Sequence, residues 1–87
     1  MEKLTGHITS KLKVLNLTPL IRFELTRDSG QKVNCLLHQH ALNFLALADR
    51  GTKISCQGHL NARQQFVITK FLVYAPVQTA KQVWDHN

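Results

Sequence analysis

From Lys3 to Leu15 the sequence alternates, with apolar or small residues on one parity and mostly polar residues on the other. Leu4, Gly6, Ile8, Ser10, Leu12 and Val14 share one parity, and Thr5, His7, Thr9, Lys11 and Lys13 the other. A period of two is the signature of a half-buried strand. The run is longer than the ~3–10 residues usual for a strand, so it is predicted to bend or bulge, with Gly6 as the site. A strand of this length can pair with two neighbours along its course.

The same period recurs downstream. Asn16-Leu17-Thr18-Pro19 reads as a turn, and Leu20 to Arg27 alternates with Ile21, Phe23 and Leu25 inward. Asp28-Ser29-Gly30 is turn chemistry, because glycine tolerates positive φ and aspartate caps the turn. Lys32 to His38 follows, with Val33, Cys35 and Leu37 on one face. Three strands joined by close turns predict an antiparallel meander. From His40 to Ala48 the period changes to good helix formers with no β-branched member. That helix is predicted to face the sheet with Leu42, Leu45 and Phe44, and to end in a basic last turn at Arg50 with Gly51 at C′.

Two more strands complete the chain. Thr52 to Leu60 places Ile54, Cys56, Gly58 and Leu60 inward, and Asn61-Ala62-Arg63-Gln64 is a hairpin loop. Gln65 to Tyr74 has Phe66, Ile68, Phe71 and Val73 inward, a set whose spacing slips by one and therefore predicts a bulge near Thr69-Lys70. The segment after Pro76 is polar apart from Val77, Val83 and Trp84. The expected division is a domain over 1–75 and a tail over 76–87, with residues 78–87 adding little to stability.

Composition narrows the class. Eighty-seven residues allow one domain, and 44% apolar residues with 4 glycines and 2 prolines exclude a disordered or collagen-like chain. No apolar run approaches the ~18 residues of a bilayer span, and Met-Glu-Lys lacks the apolar stretch of a signal peptide. Two cysteines are too few for a disulfide scaffold, so a cytoplasmic protein without membrane association is expected. Eleven Lys and Arg against 5 Asp and Glu give 11 − 5 = +6, a balance that suits a nucleic-acid partner if the cations cluster.

The order strand-strand-strand-helix-strand-strand, with a long bent first strand, resembles the OB-fold superfamily over roughly residues 3–75. The residues carrying the resemblance are Leu4-Thr5-Gly6-His7-Ile8, Arg50 to Gly58, and Phe66-Val67-Ile68 with Phe71-Leu72-Val73. The chain looks most like small nucleic-acid-binding modules of the bacterial single-stranded-DNA-binding and primosomal protein B type. That resemblance implies an all-β fold with one short helix: a five-stranded Greek-key OB-fold barrel, its helix between strands three and four.

In such barrels the outer face of strands two and three, with the one-two and four-five loops, is the ligand surface. Outward parity puts Lys11 and Lys13 on strand one, Arg22 on strand two, and Asn34 and His38 on strand three, with Arg63 and Gln64 at the four-five hairpin tip. These seven are the candidate contacts for a phosphate backbone, with Glu24 opposing them on the same face. Phe23, Phe44, Phe66 and Phe71 are assigned to the core, leaving Tyr74 and Trp84 as the aromatic residues outside it. Outward Leu20 and Leu36, with Leu15 and Leu17 beside the one-two turn, form a rival apolar surface.

Catalytic and metal chemistry are not expected. The acids Glu2, Glu24, Asp28, Asp49 and Asp85 are scattered, so no general acid–base pair is implied. Cys35-x-x-His38 and Cys56-x-x-His59 imitate zinc spacing, but three residues along a strand point to opposite faces. The expectation is a non-catalytic, cofactor-free module that binds single-stranded nucleic acid, DNA ahead of RNA. The alternative is a protein-interaction module or small subunit, docking a larger partner or itself through the outer leucines and the tail.

Overall fold

The computed structural model describes residues 2–15 and 19–74, so the expectations for Leu17 and its turn, for Trp84 and for the tail from 76 lie outside the described residues. The elements are β1 (Glu2–Ile8), β2 (Lys13–Val14), β3 (Ile21–Arg27), β4 (Lys32–Leu37), α1 (Ala41–Leu47), β5 (Lys53–Leu60) and β6 (Phe66–Val73). Strands are hydrogen-bonded in the order β1-β5-β6-β4-β3-β2, and β1 also pairs with β3, closing the sheet. All pairings are antiparallel except β4 with β6. With β1 and β2 as two parts of one bent strand, this is the five-stranded OB barrel, its helix inserted between the third and fourth strands.

The first strand does pair twice, but its break falls at residues 9–12 rather than at Gly6. Thr9 N donates to Glu24 O at 2.9 Å, and then the backbone leaves the ladder. Glu24 N donates instead to Ser10 Oγ at 2.8 Å, and Ser10 Oγ donates to Lys11 O at 3.1 Å. A serine hydroxyl thus stands in for the missing main-chain partner, which a parity reading cannot detect. Gly6 has a different task. It is paired with Ile54 on one side and Arg27 on the other, and a Cβ there would collide with the main-chain oxygen of Thr26.

The inward sets of β3 and β4 are as expected: Ile21, Phe23, Leu25, Cys35 and Leu37 are buried, and Val33 packs against them. In β5, Ile54, Cys56 and Gly58 are buried, but Leu60 is 46% exposed because the strand has run past the barrel end. The bulge lies where the spacing placed it. Gln57 pairs with Lys70 and Gly58 with Ile68, so Thr69 is the extra residue, and its hydroxyl donates to Gln57 O at 3.2 Å. The hairpin loop is organised by Asn61, whose Oδ1 accepts from Arg63 N and Gln65 N, both at 2.9 Å. Gln64 there takes a φ of 63°, a left-handed value.

The helix departs most from expectation. Its buried side is Ala41, Phe44 and Ala48, with Leu45 partly covered, whereas Leu42 is 69% exposed. Positions i, i+3, i+4 and i+7 make one helical face, and starting that series at Ala41 rather than Leu42 places Phe44 at its centre. Phe44 stacks on Phe23 at a centroid distance of 5.3 Å and meets Phe71 edge-on at 5.0 Å. The helix therefore plugs the barrel with one aromatic ring. Arg50 and Gly51 lie beyond its end: Ala48 is the extended C-cap, and no basic residue occupies the last turn. Gly51, at φ 94°, instead turns the chain so that its N–H donates to Ile8 O at 2.7 Å while Ile8 N donates to Thr52 O at 2.9 Å.

Candidate nucleic-acid interface

The bend after β1 shapes one face of the barrel. Ser10 anchors the bend to β3, which carries Lys11 and Lys13 across the outer side of that strand. Lys13 sits directly opposite Arg22 on β3, Arg22 opposite Leu36 on β4, and Glu24 opposite Asn34. Lys11, Lys13, Arg22 and Asn34 line one cleft of about 330 Å³, together with Ser10 and Glu24. All three basic side chains and Asn34 are exposed. Four of the seven candidate residues, from three different segments, share one concavity.

The other three lie elsewhere. His38 follows β4 and lines a separate depression with Pro19, His40 and Leu42 at the start of the helix. Gln64 belongs to a cleft at the opposite end of β4, with Arg27, Gln31 and Val33. Strand register explains the separation: parallel pairing sets Phe66 beside Cys35, so the loop preceding it projects past Val33, away from Arg22 and Leu36. Arg63 is exposed in that loop and lines neither cleft.

Glu24 is the one acid in the cleft, whose lining charge is three cations less one anion, +2. Its Oε1 accepts from Thr9 Oγ1 at 2.7 Å, and Thr9 Oγ1 is also 2.9 Å from Thr26 Oγ1. A hydroxyl has one proton to give. Thr9 gives its proton to the carboxylate, so Thr26 must donate to Thr9. This chain holds Glu24 toward β1 and leaves Arg22 and Lys13 to face solvent. Ser10 and Thr9 are the residues that parity reading missed; their only sequence signal is a pair of adjacent hydroxyls within the long first run.

The histidine and cysteine pairs split as their spacing implies. Cys35 and Cys56 are free and buried, while His38 and His59 are exposed. Burial pushes the Cys56 thiol up to about 11. Cys35 is pushed higher still, by burial first and by the neighbouring Cys56 second. These thiols behave as small apolar side chains rather than as thiolate ligands or nucleophiles. Among the described residues no three His, Cys, Asp or Glu side chains cluster as a metal site.

No family model matches the sequence, and no curated protein matches it significantly. Solved structures do resemble it in shape. One is the mitochondrial single-stranded DNA binding protein Rim1 of S. cerevisiae, with a TM-score of 0.71 and 14% identity over 84% of this chain and 91% of that one. Another is the second single-stranded DNA binding protein, SSBb, of Mycobacterium smegmatis, at 0.67 and 16% over 91% and 89%. A third is the N-terminal domain of PriB from Thermoanaerobacter tencongensis, described as dimeric, at 0.64 and 18% over 86% and 96%. At such identities the likeness is one of fold, and the fold is the OB barrel.

Proposed function

We propose that this chain is a non-catalytic module that binds single-stranded nucleic acid, DNA ahead of RNA, by tracking the phosphate backbone. The observation carrying this reading is the cleft in which Lys11, Lys13, Arg22 and Asn34 converge. Three cations along one concave wall attract a polyanion, and Asn34 adds an amide that can donate to phosphate oxygens or base edges. Fold-level likeness to barrels described as single-stranded DNA binding proteins supports the ligand class. His38, Arg63 and Gln64 are peripheral in this reading, reached only by a strand that extends past either end of the cleft. Two buried free thiols suit a reducing compartment such as the cytoplasm.

The test compares two charge reversals. Arg22→Glu and Arg50→Glu each change the net charge from +6 to 6 − 2 = +4, but only Arg22 lines the cleft. Arg22→Glu should weaken binding of a labelled dT oligonucleotide roughly tenfold, or ~1.4 kcal/mol, and Arg50→Glu far less. Equal losses would mean a diffuse field and no groove.

A second reading draws on the exposed Val14 and Leu15 beside the cleft, next to half-buried Leu20 and Leu36. These side chains give a protein partner or a second copy an apolar foothold. A solution molar mass twice that of the chain, reduced to one by Leu15→Asp, would favour it.

A further inference from the structure

The wall opposite the cleft carries cations of its own. On β1, β5 and β6 the outward positions stand in register: Lys3 opposite Gln57, His7 opposite Lys53, and Gln57 opposite Lys70. Lys3, Lys53 and Lys70 are all exposed. Among the described residues no carboxylate shares this face. Glu2 pairs with Gly58 on the inward parity and lines the cleft at the barrel end, Asp28 and Asp49 sit in turns, and Glu24 lies on β3.

An aromatic ring is held at the same place. Tyr74 extends β6 by one rung, its N–H donating to Lys53 O at 3.0 Å. Its hydroxyl is bonded to Ser55 Oγ at 2.8 Å, and Ser55 Oγ to Thr5 Oγ1 at 2.8 Å, so a row of hydroxyls across three strands fixes the ring. Lys53 Nζ lies 5.4 Å from the ring centroid. Tyr74 is nevertheless 41% exposed, the one exposed aromatic residue among those described, and Leu72 beside it is 59% exposed. Lys3, Gln57, Lys70, Leu72 and Tyr74 border a cleft of about 250 Å³.

A fixed ring, an apolar wall and three lysines without an opposing acid match a ligand that offers a planar face between negative charges. An unpaired nucleotide in a strand is such a ligand; a duplex keeps its base faces stacked away. We propose that the outer face of β1, β5 and β6 is a second contact surface for single-stranded nucleic acid, with a base stacked on Tyr74 and flanking phosphates met by Lys3, Lys53 and Lys70. This rests on the proposed function and adds the base-stacking site that the Lys11–Arg22 cleft lacks. Base stacking is the stronger contact, so the Lys53 ammonium yields the ring to the base and turns to phosphate. The two faces meet at β1, where His7 pairs with Thr26 on β3 and with Lys53 on β5. One strand can pass from cleft to ring over that residue.

The experiment measures anisotropy of a fluorescein-labelled dT oligonucleotide with Tyr74→Leu, Tyr74→Phe, Lys70→Glu and Arg22→Glu, with melting temperatures alongside. Tyr74→Leu should weaken binding on the order of 5- to 100-fold, while Tyr74→Phe retains it. Lys70→Glu should lower the slope of log affinity against log salt by ~0.7 or more; if Tyr74→Leu does not fold, this variant decides. Unchanged binding by Tyr74→Leu and Lys70→Glu, with Arg22→Glu weakened, overturns this surface and leaves the proposed function standing. No binding by the unmutated protein overturns both. Equal loss in the Phe and Leu variants assigns Tyr74 to the hydroxyl row and not to stacking, which overturns the base site. So does a dimer that Leu72→Asp splits without changing oligonucleotide affinity, because a second copy then covers the face.

Discussion

Phe44→Ala removes the ring that joins α1 to the barrel. Phe44 is fully buried, stacked on Phe23 and edge-on to Phe71. Truncating a buried phenylalanine costs about 3–5 kcal/mol, which already includes the lost transfer energy and the cavity left behind. A seven-residue helix has no stability of its own, so nothing local offsets the loss. A domain of this size holds roughly 4–13 kcal/mol in total, at ~0.05–0.15 per residue. The variant should therefore lose at least about a quarter of the domain's stability. At about 4–8 °C per kcal/mol, the melting temperature should fall by at least ~12 °C. Leu42→Ala is the matched control: the side chain is 69% exposed, and its loss should stay within about 0.5 kcal/mol. Urea titrations followed by far-ultraviolet circular dichroism would give both values. Comparable losses for the two variants, or a Phe44→Ala cost below ~1 kcal/mol, would refute the helix orientation and the plug.

Gly58→Ala should destabilise the barrel by more than ~2 kcal/mol, because the added Cβ would run into the main-chain oxygen of Val67, and a backbone obstacle cannot swing aside as a side chain can; thermal melts of Gly58→Ala beside Thr52→Ala would show whether the loss is specific. Alkaline pH should destabilise the protein through its thiols. Their folded-state values are raised, so the stabilisation is complete below the ordinary value of 9.0 and is lost as pH climbs from there through the folded value, about 11 for Cys56. By pH 10 this amounts to about 1.4 kcal/mol per thiol. Cys56→Ala should flatten that limb of the stability curve despite a lower plateau, and an unchanged limb would show that Cys56 ionises freely in the fold.

The barrel was legible in the sequence because its inward residues obey a strict period. Ile21, Phe23, Leu25, Cys35 and Leu37 could be assigned from parity alone, and the slip between Ile68 and Phe71 located the bulge at Thr69. What parity could not supply is where a strand stops being paired. Ser10 ends the ladder through a side-chain hydrogen bond to Glu24 N, a contact with a residue 14 positions away. The helix face was misread because Leu42 outranks Ala41 in hydrophobicity, whereas in a barrel mouth already filled by Phe23 and Phe71 a small residue packs better. The candidate site was divided by register, since the β4–β6 pairing sends Arg63 and Gln64 toward Val33 while Lys13 and Arg22 meet at the other end. The outer parity of Lys70, Leu72 and Tyr74 follows from the same bulge, but the row of hydroxyls that fixes the Tyr74 ring joins residues 19 and 50 positions apart and leaves no periodic signal.

The central claim, that the cations on the barrel surface bind the backbone of a single strand, is tested most directly by the affinity of the unmutated protein for a labelled dT oligonucleotide at ~50 mM and ~200 mM salt. Single strands give a slope of ~0.7 per neutralised phosphate, so the three cations of the Lys11–Arg22 cleft predict a slope near 2. Affinity should then fall roughly 15- to 20-fold across that interval, and further if the lysines around Tyr74 also engage. A salt-independent affinity, or no binding at ~50 mM, would contradict the account.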